Sequence, residues 1–226
     1  GAGTMGSLQN AVDALFASED GGFAGEILDT EHEVINHGTG GLFEKLPYPE
    51  EFPGGDDFVV AYKGAIRVSE SGEYTFGVKS DDGFGLRIWD AEFTEVFGAG
   101  AIDPIASNTV GHPAVTGNSN TRAVVNLDAG REYMLEFIWY ERGGGDYAEL
   151  YAAKGNHPND ESTQEWELVG ITRGGSAEFR MPGVDDAGWE ITSSVPSADG
   201  EINTLALGLA AIEASGVTDN YDRFDI

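Results

Sequence analysis

The sequence predicts an all-β sandwich with short flanking helices at both ends. Short apolar runs recur from Phe58 onward, and clusters of turn residues separate them. Glycine is abundant, at 33 of 226 residues, as tight turns and bulges require. Apolar residues make up 40% of the chain, with 12 Phe, 8 Tyr and 4 Trp, enough for a sizeable core.

The opening GAGTMGS reads as an appended segment, so Gly1 to Gly6 are left out of the fold reasoning. Leu8, Val12 and Leu15 fall at i, i+4 and i+7, which predicts a helix over Ser7 to Ala17, ended by Gly21-Gly22. Residues 7–37 are then a helical connector, and residues 38–182 hold the sandwich. Its strands are expected at Phe58–Tyr62, Ala65–Val68, Tyr74–Val78, Leu86–Trp89, Ala123–Leu127, Tyr133–Tyr140 and Ala148–Ala152. Trp166–Val169 and Ala177–Arg180 close the series. Turns fall at Ser71-Gly72, Asp82-Gly83, Asp128–Gly130 and Gly143–Asp146. One face of Tyr133–Tyr140 carries Tyr133, Leu135, Phe137 and Trp139, while the other carries Met134, Glu136, Ile138 and Tyr140. Both are largely apolar, which predicts a central strand between two sheets.

Residues 183–226 read as a last strand and a second helical connector. Leu205, Leu209 and Ile212 repeat the spacing of the first helix, and one constant offset relates them, and Ser215, to Leu8, Val12, Leu15 and Ser18. This pattern predicts an internal repeat leading toward a next module, so that neighbouring repeats in the same chain are partners. Two long, weakly patterned stretches remain, Gly38–Asp57 and Ala99–Asn120. Loops of that length are often functional, and equally they are plain surface excursions.

Forty acidic residues against twelve basic ones give a formal charge of −28. That surface repels nucleic acid and anionic membranes and attracts cations, and it also serves solubility in salt. The absence of cysteine excludes disulfides, a thiolate zinc site and a cysteine nucleophile. No apolar run is long enough to span a membrane. The segment after the opening residues lacks the basic and apolar regions of a signal peptide, so for a secreted protein that signal is expected outside this sequence. None of the GxSxG, P-loop, HExxH or dinucleotide-binding patterns occurs. His32, His37 and His157 lack metal-ligand spacing. The acidic pairs Glu50-Glu51, Asp56-Asp57 and Asp185-Asp186 have no surrounding motif that marks a glycosidase. The chain is expected not to be an enzyme.

Asp81-Asp82-Gly83 concentrates the chemistry. Consecutive side chains of an extended chain point to opposite faces, so these carboxylates converge only through a sharp turn or a non-proline cis peptide. Taken alone, the tripeptide is a common turn former. Its context is more specific. GEYTFGVKSDDGFGLRIWD, from Gly72 to Asp90, resembles the central signature of the PA14 domain family. GREYMLEFIWYERGGGDYAELY, from Gly130 to Tyr151, resembles that family's second signature: a strand ending in an aromatic residue and Glu, a glycine-rich loop, and another strand. The resemblance covers roughly Gly38 to Met181.

It implies a PA14-type β-sandwich, a fold found in toxins, glycosidases, yeast flocculins and large bacterial adhesins. In lectin members, two consecutive aspartates joined by a cis peptide grip one calcium ion, to which vicinal sugar hydroxyls bind. Asp81 and Asp82 match those aspartates. The remaining ligands would come from the carbonyls of Gly144 and Gly145 and the carboxylate of Asp146, although flocculin-type lectins place an Asn in that loop; alternatively, the loop merely turns a hairpin. The resemblance thus implies Ca2+ as cofactor, glycans on a cell or matrix surface as partners, and a secreted or cell-surface, bacterial extracellular setting. A sugar site also wants an aromatic platform and polar groups, for which Phe84, Tyr147, Arg142 and His112 are the candidates. The competing readings are a structural spacer in a repetitive surface protein and an accessory glycan-binding domain of a secreted hydrolase.

Overall fold

The computed structural model describes residues 5–19, 28–32, 34–43, 55–159, 166–170 and 189–193. In chain order these form helix α1 (Leu8–Glu19) and strands β1 (Leu28–His32), β2 (Asn36–Gly38), β3 (Phe58–Arg67), β4 (Gly72–Asp81) and β5 (Phe84–Ile88). Next come β6 (Phe93–Gly98), β7 (Ala101–Ile102), β8 (Thr109–His112) and β9 (Ser119–Leu127). Strands β10 (Glu132–Glu141), β11 (Tyr147–Lys154), β12 (Glu167–Leu168) and β13 (Trp189–Ser193) complete the set. They make two antiparallel sheets, ordered β1-β13-β3-β10-β5-β8-β7 and β12-β11-β4-β9-β6, with β2 added to β11. The all-β sandwich is therefore the fold.

The core lies between the sheets and follows the period-2 alternation of the strands. Tyr74, Phe76 and Val78 of β4 meet Leu135, Phe137 and Trp139 of β10 and Leu86 and Ile88 of β5 in one buried cluster. Trp139 is fully buried and takes the edge of Phe58 at 5.0 Å between centroids.

The other face of β10 departs from expectation. Ile138 and Tyr140 are buried there beneath α1, together with Val59 and Ala61 of β3 and Leu8, Ala11, Val12 and Leu15 of the helix. A helix, and not a second sheet, covers that face of the strand. Ser7 caps α1, its Oγ accepting from the Asn10 N–H at 3.2 Å. Met5, set aside in the sequence reading, is 3% exposed and belongs to the same cluster.

Other differences concern boundaries. The predicted strands at Phe58–Tyr62 and Ala65–Val68 are one strand, because Lys63 and Gly64 pair with Glu136 and Leu135 without a break. Within Ala99–Asn120, the strands β7 and β8 pair with each other, and β8 pairs with β5. The expected strand Ala177–Arg180 and the helix around Leu205–Ile212 lie outside the described residues, as do Glu50-Glu51 and Asp185-Asp186.

Candidate metal and carbohydrate site

Three strand ends meet at one edge of the sandwich. Strand β4 delivers Asp81, the β4–β5 turn delivers Asp82, and β10 delivers Glu141 at its last position. The Asp81-Asp82 peptide is cis. One carboxylate oxygen from each of Asp81, Asp82 and Glu141 can be chosen so that all lie within 4.8 Å of one another.

Backbone donors orient these groups. Asp82 is 2% exposed; its Oδ1 accepts from the Thr116 N–H and its Oδ2 from the Arg142 N–H, both at 2.8 Å. Ser80 Oγ donates to the Asp82 carbonyl at 2.7 Å, and Trp139 Nε1–H donates to the Asp81 carbonyl at 2.9 Å. Thus the core indole ties the turn to β10. Gly83 is required beside them, since a Cβ there would sit 2.5 Å from the His112 carbonyl and 2.9 Å from that of Ala114.

Glu141 is 0% exposed. Its Oε1 accepts from the Gly143 N–H at 2.5 Å, while its Oε2 is buried without a hydrogen-bond partner among the described residues. A buried carboxylate oxygen left in that state is costly unless something else satisfies it. Burial, then the charge of Asp82, pushes the Glu141 carboxyl up to about 7. Asp81 is pushed up to about 6, first by burial and then by Asp82 and Asp146. Among the described residues no cation pairs with Asp81, Asp82 or Glu141. Hard oxygen donors, crowded and short of positive charge, fit calcium far better than a soft metal.

The glycine-rich loop closes over this group. A Cβ on Gly145 would lie 3.3 Å from Asp81 Oδ2, so the loop backbone passes directly beside that carboxylate. The Gly144 N–H donates to Asp56 Oδ1 at 3.4 Å, and the Asp146 carbonyl accepts from the Thr39 N–H at 3.1 Å. Asp146 is half-buried outside the close trio, yet near enough for its charge to raise Asp81 and Glu141.

The expected sugar contacts divide. Phe84 is no platform: it is fully buried and stacks on Phe137 at 6.0 Å inside the core, because strand alternation after Gly83 turns its ring inward. Tyr147 is 4% exposed. Its ring lies against Gly40 and its hydroxyl donates to Asn118 Oδ1, so it too serves packing. Arg142 is exposed at the rim beside Asp82. His112 is half-buried, its ring Nδ1 3.1 Å from the Ala114 carbonyl.

Sequence reasoning missed Glu141 as a candidate ligand. The signal was present: Tyr133, Leu135, Phe137 and Trp139 share one face of β10, and the same period of two continues to Glu141. An acid on a core-facing position, two residues before a glycine run, has to meet something polar.

Among known families, the sequence model described as the PA14 domain matches residues 43–165. No curated protein matches. Among solved structures, the chain is similar to one titled the crystal structure of the PA14 domain of MpAFP antifreeze protein, with 19% identity and a TM-score of 0.31. That similarity covers 61% of this chain and 52% of the other, so this chain spans about half the length of its neighbour.

Proposed function

The chain belongs to the PA14 family, which includes carbohydrate-binding modules, and from that premise we propose that it is a calcium-dependent lectin module of a large secreted or surface adhesin. The observation that carries the reading is Glu141 Oε2, a buried and unsatisfied carboxylate oxygen grouped with Asp81 and Asp82. Asp81, Asp82 and Glu141 would hold the ion, with the Gly143–Asp146 backbone and the Asp146 carboxylate alongside. Bound there, calcium supplies open coordination positions that a pair of neighbouring sugar hydroxyls can occupy.

The chain's own residues prepare that site. Thr116 and Arg142 fix both oxygens of Asp82, and Trp139 fixes the Asp81 carbonyl. Glycines 143 to 145 carry no side chain that would fill the approach. With Phe84 and Tyr147 buried, contacts to the sugar fall to the exposed Arg142 and to loop backbone. Affinity per site should be weak, and repetition in a longer chain would raise it through multivalency.

Glycan-array binding with calcium and with EDTA is the test. Binding that requires calcium and is lost in Asp82→Ala, with the fold unchanged, supports the lectin function. Calcium binding that raises stability while no glycan is retained would instead identify a structural spacer, whose ion ties the β4–β5 turn to the β10–β11 loop.

A further inference from the structure

Strand β5 runs from the carboxylate group at Phe84 to a second feature beyond Ile88. There, a cleft of about 780 Å³ opens between the turn that follows β5 and the loop that precedes β8, lined in part by Trp89, Thr94, Ile105, Asn108 and Asn126. At ~3.3 Å per strand residue it lies roughly 20 Å from Asp82. Its volume is within the range of small-molecule sites, which is roughly 300–1,000 Å³.

Two lining groups are anchored by one buried residue. Arg87, 1% exposed, places its guanidinium 5.0 Å from the centroid of the Trp89 ring. Its Nε–H also donates to Thr109 Oγ1 at 3.0 Å, and that hydroxyl in turn donates to Asn108 Oδ1 at 3.1 Å. The relay occupies one lone pair of the Asn108 amide oxygen and so holds a side chain that lines the cleft. The indole stays half-exposed. The opposing loop is equally fixed, since Asp103 Oδ1 accepts from the Ile105 and Ala106 N–H groups at 2.7 and 2.9 Å. This holds Ile105 outward at 55% exposure, the exposed large hydrophobic among the described residues. Asn126 adds a second amide from the outer end of β9.

We propose that this cleft is a second, metal-independent saccharide site. An indole offers the flat apolar surface that the C–H face of a pyranose covers, and two amides offer paired donors and acceptors for its hydroxyls. Prior fixation by Arg87, Thr109 and Asp103 limits the ordering cost of binding. The ligand is neutral: the net charge of −28 opposes an anionic sugar, and two nearby cations are already paired, Arg131 with Asp90 at 3.0 Å and the buried Arg87 with Glu136 at 4.0 Å.

Its test separates it from the calcium site. Isotope-labelled protein in EDTA is titrated with the methyl glycosides of glucose, galactose, mannose and N-acetylglucosamine, to tens of millimolar, and followed by NMR. Saturable shifts of the Trp89 indole N–H and of the Asn108 and Asn126 side-chain amides are expected with at least one of the four. Trp89→Ala should abolish them. Asn126→Ala, at an exposed strand position that leaves the fold intact, should weaken binding about fivefold, as the loss of one hydrogen bond predicts. Glu141→Gln should leave them unchanged. No saturable shift with any glycoside overturns the proposal, as do shifts that survive both cleft substitutions or that require calcium.

Discussion

Replacing Glu141 by Gln keeps the length and shape of the side chain and removes its charge. In a mere acidic turn that change would do little. Here it should have two opposite effects, because the same group is a burden without an ion and, in the proposed site, a ligand with one. Without calcium, the substitution relieves repulsion with Asp81 and Asp82 and supplies a donor inside a cluster of acceptors. The metal-free melting temperature should therefore rise by a few degrees, about 2–4 °C for each kcal/mol in a chain of this size. With calcium present, affinity should fall about a hundredfold or more through loss of a ligand. Differential scanning calorimetry with and without calcium measures both; a fall in both conditions would show that Glu141 serves folding alone. Asp82→Asn should also lose the ion, but without the gain in the metal-free state, because both oxygens of Asp82 accept backbone N–H groups that an amide NH2 cannot satisfy.

At the scale of elements, the site depends on β2 as much as on the strands that carry its acids. Gly38 ends β2 at a φ of 89°, and a Cβ there would lie 2.0 Å from the Asp146 carbonyl and 2.6 Å from the Tyr147 Cα. Those neighbours are backbone, so they cannot rotate away. Gly38→Ala should push the β10–β11 loop outward, cost about 1–3 kcal/mol and weaken calcium binding by displacing the Asp146 backbone, although Gly38 carries no ligand itself. A urea titration reads the first effect and a calcium titration the second. The helix gives a control: Leu15→Ala, at a fully buried position against β3 and β10, should cost about 2–5 kcal/mol and leave calcium affinity intact. Legibility in the sequence follows the same division. Leu8, Val12 and Leu15 announced their helix because period and burial coincide, and β10 announced itself by its apolar length. The cover over Ile138 and Tyr140 was not legible, since an apolar face does not say whether a helix or a sheet will meet it. Phe84 and Tyr147 were read as possible platforms because they adjoin the ligands in sequence. Strand alternation instead sends Phe84 into the core, while Tyr147 lies on the outer face of β11 and is covered there by the Gly38–Gly40 segment; adjacency in sequence says nothing about either until the strand's register is known.

Over the whole molecule, acidity and metal binding combine into a dependence on pH with a definite sign. In the folded, metal-free chain the Glu141 carboxyl is pushed from 4.5 up to about 7 and that of Asp81 from 3.8 up to about 6. The unfolded chain releases those protons near the ordinary values, so between the two ranges the folded state binds more of them. Stability must then be greatest below the unfolded values and fall as pH rises through 6 and 7, flattening above. The net charge of −28 adds to this in the same direction, because self-repulsion grows as carboxyls ionise. Calcium, bound as proposed, should reverse the trend, since it requires the deprotonated carboxylates. Its affinity should climb between pH 5 and 7 with the release of about one to two protons per ion, then level off. Denaturation with urea across that range, in EDTA and in calcium, should give curves that diverge as pH rises. Glu141→Gln should remove about half of the decline in EDTA, leaving the share of Asp81 and the background due to overall charge, the latter suppressed by added salt. Parallel curves in EDTA and calcium would mean that these carboxylates do not share an ion, and the metal site itself would have to be abandoned.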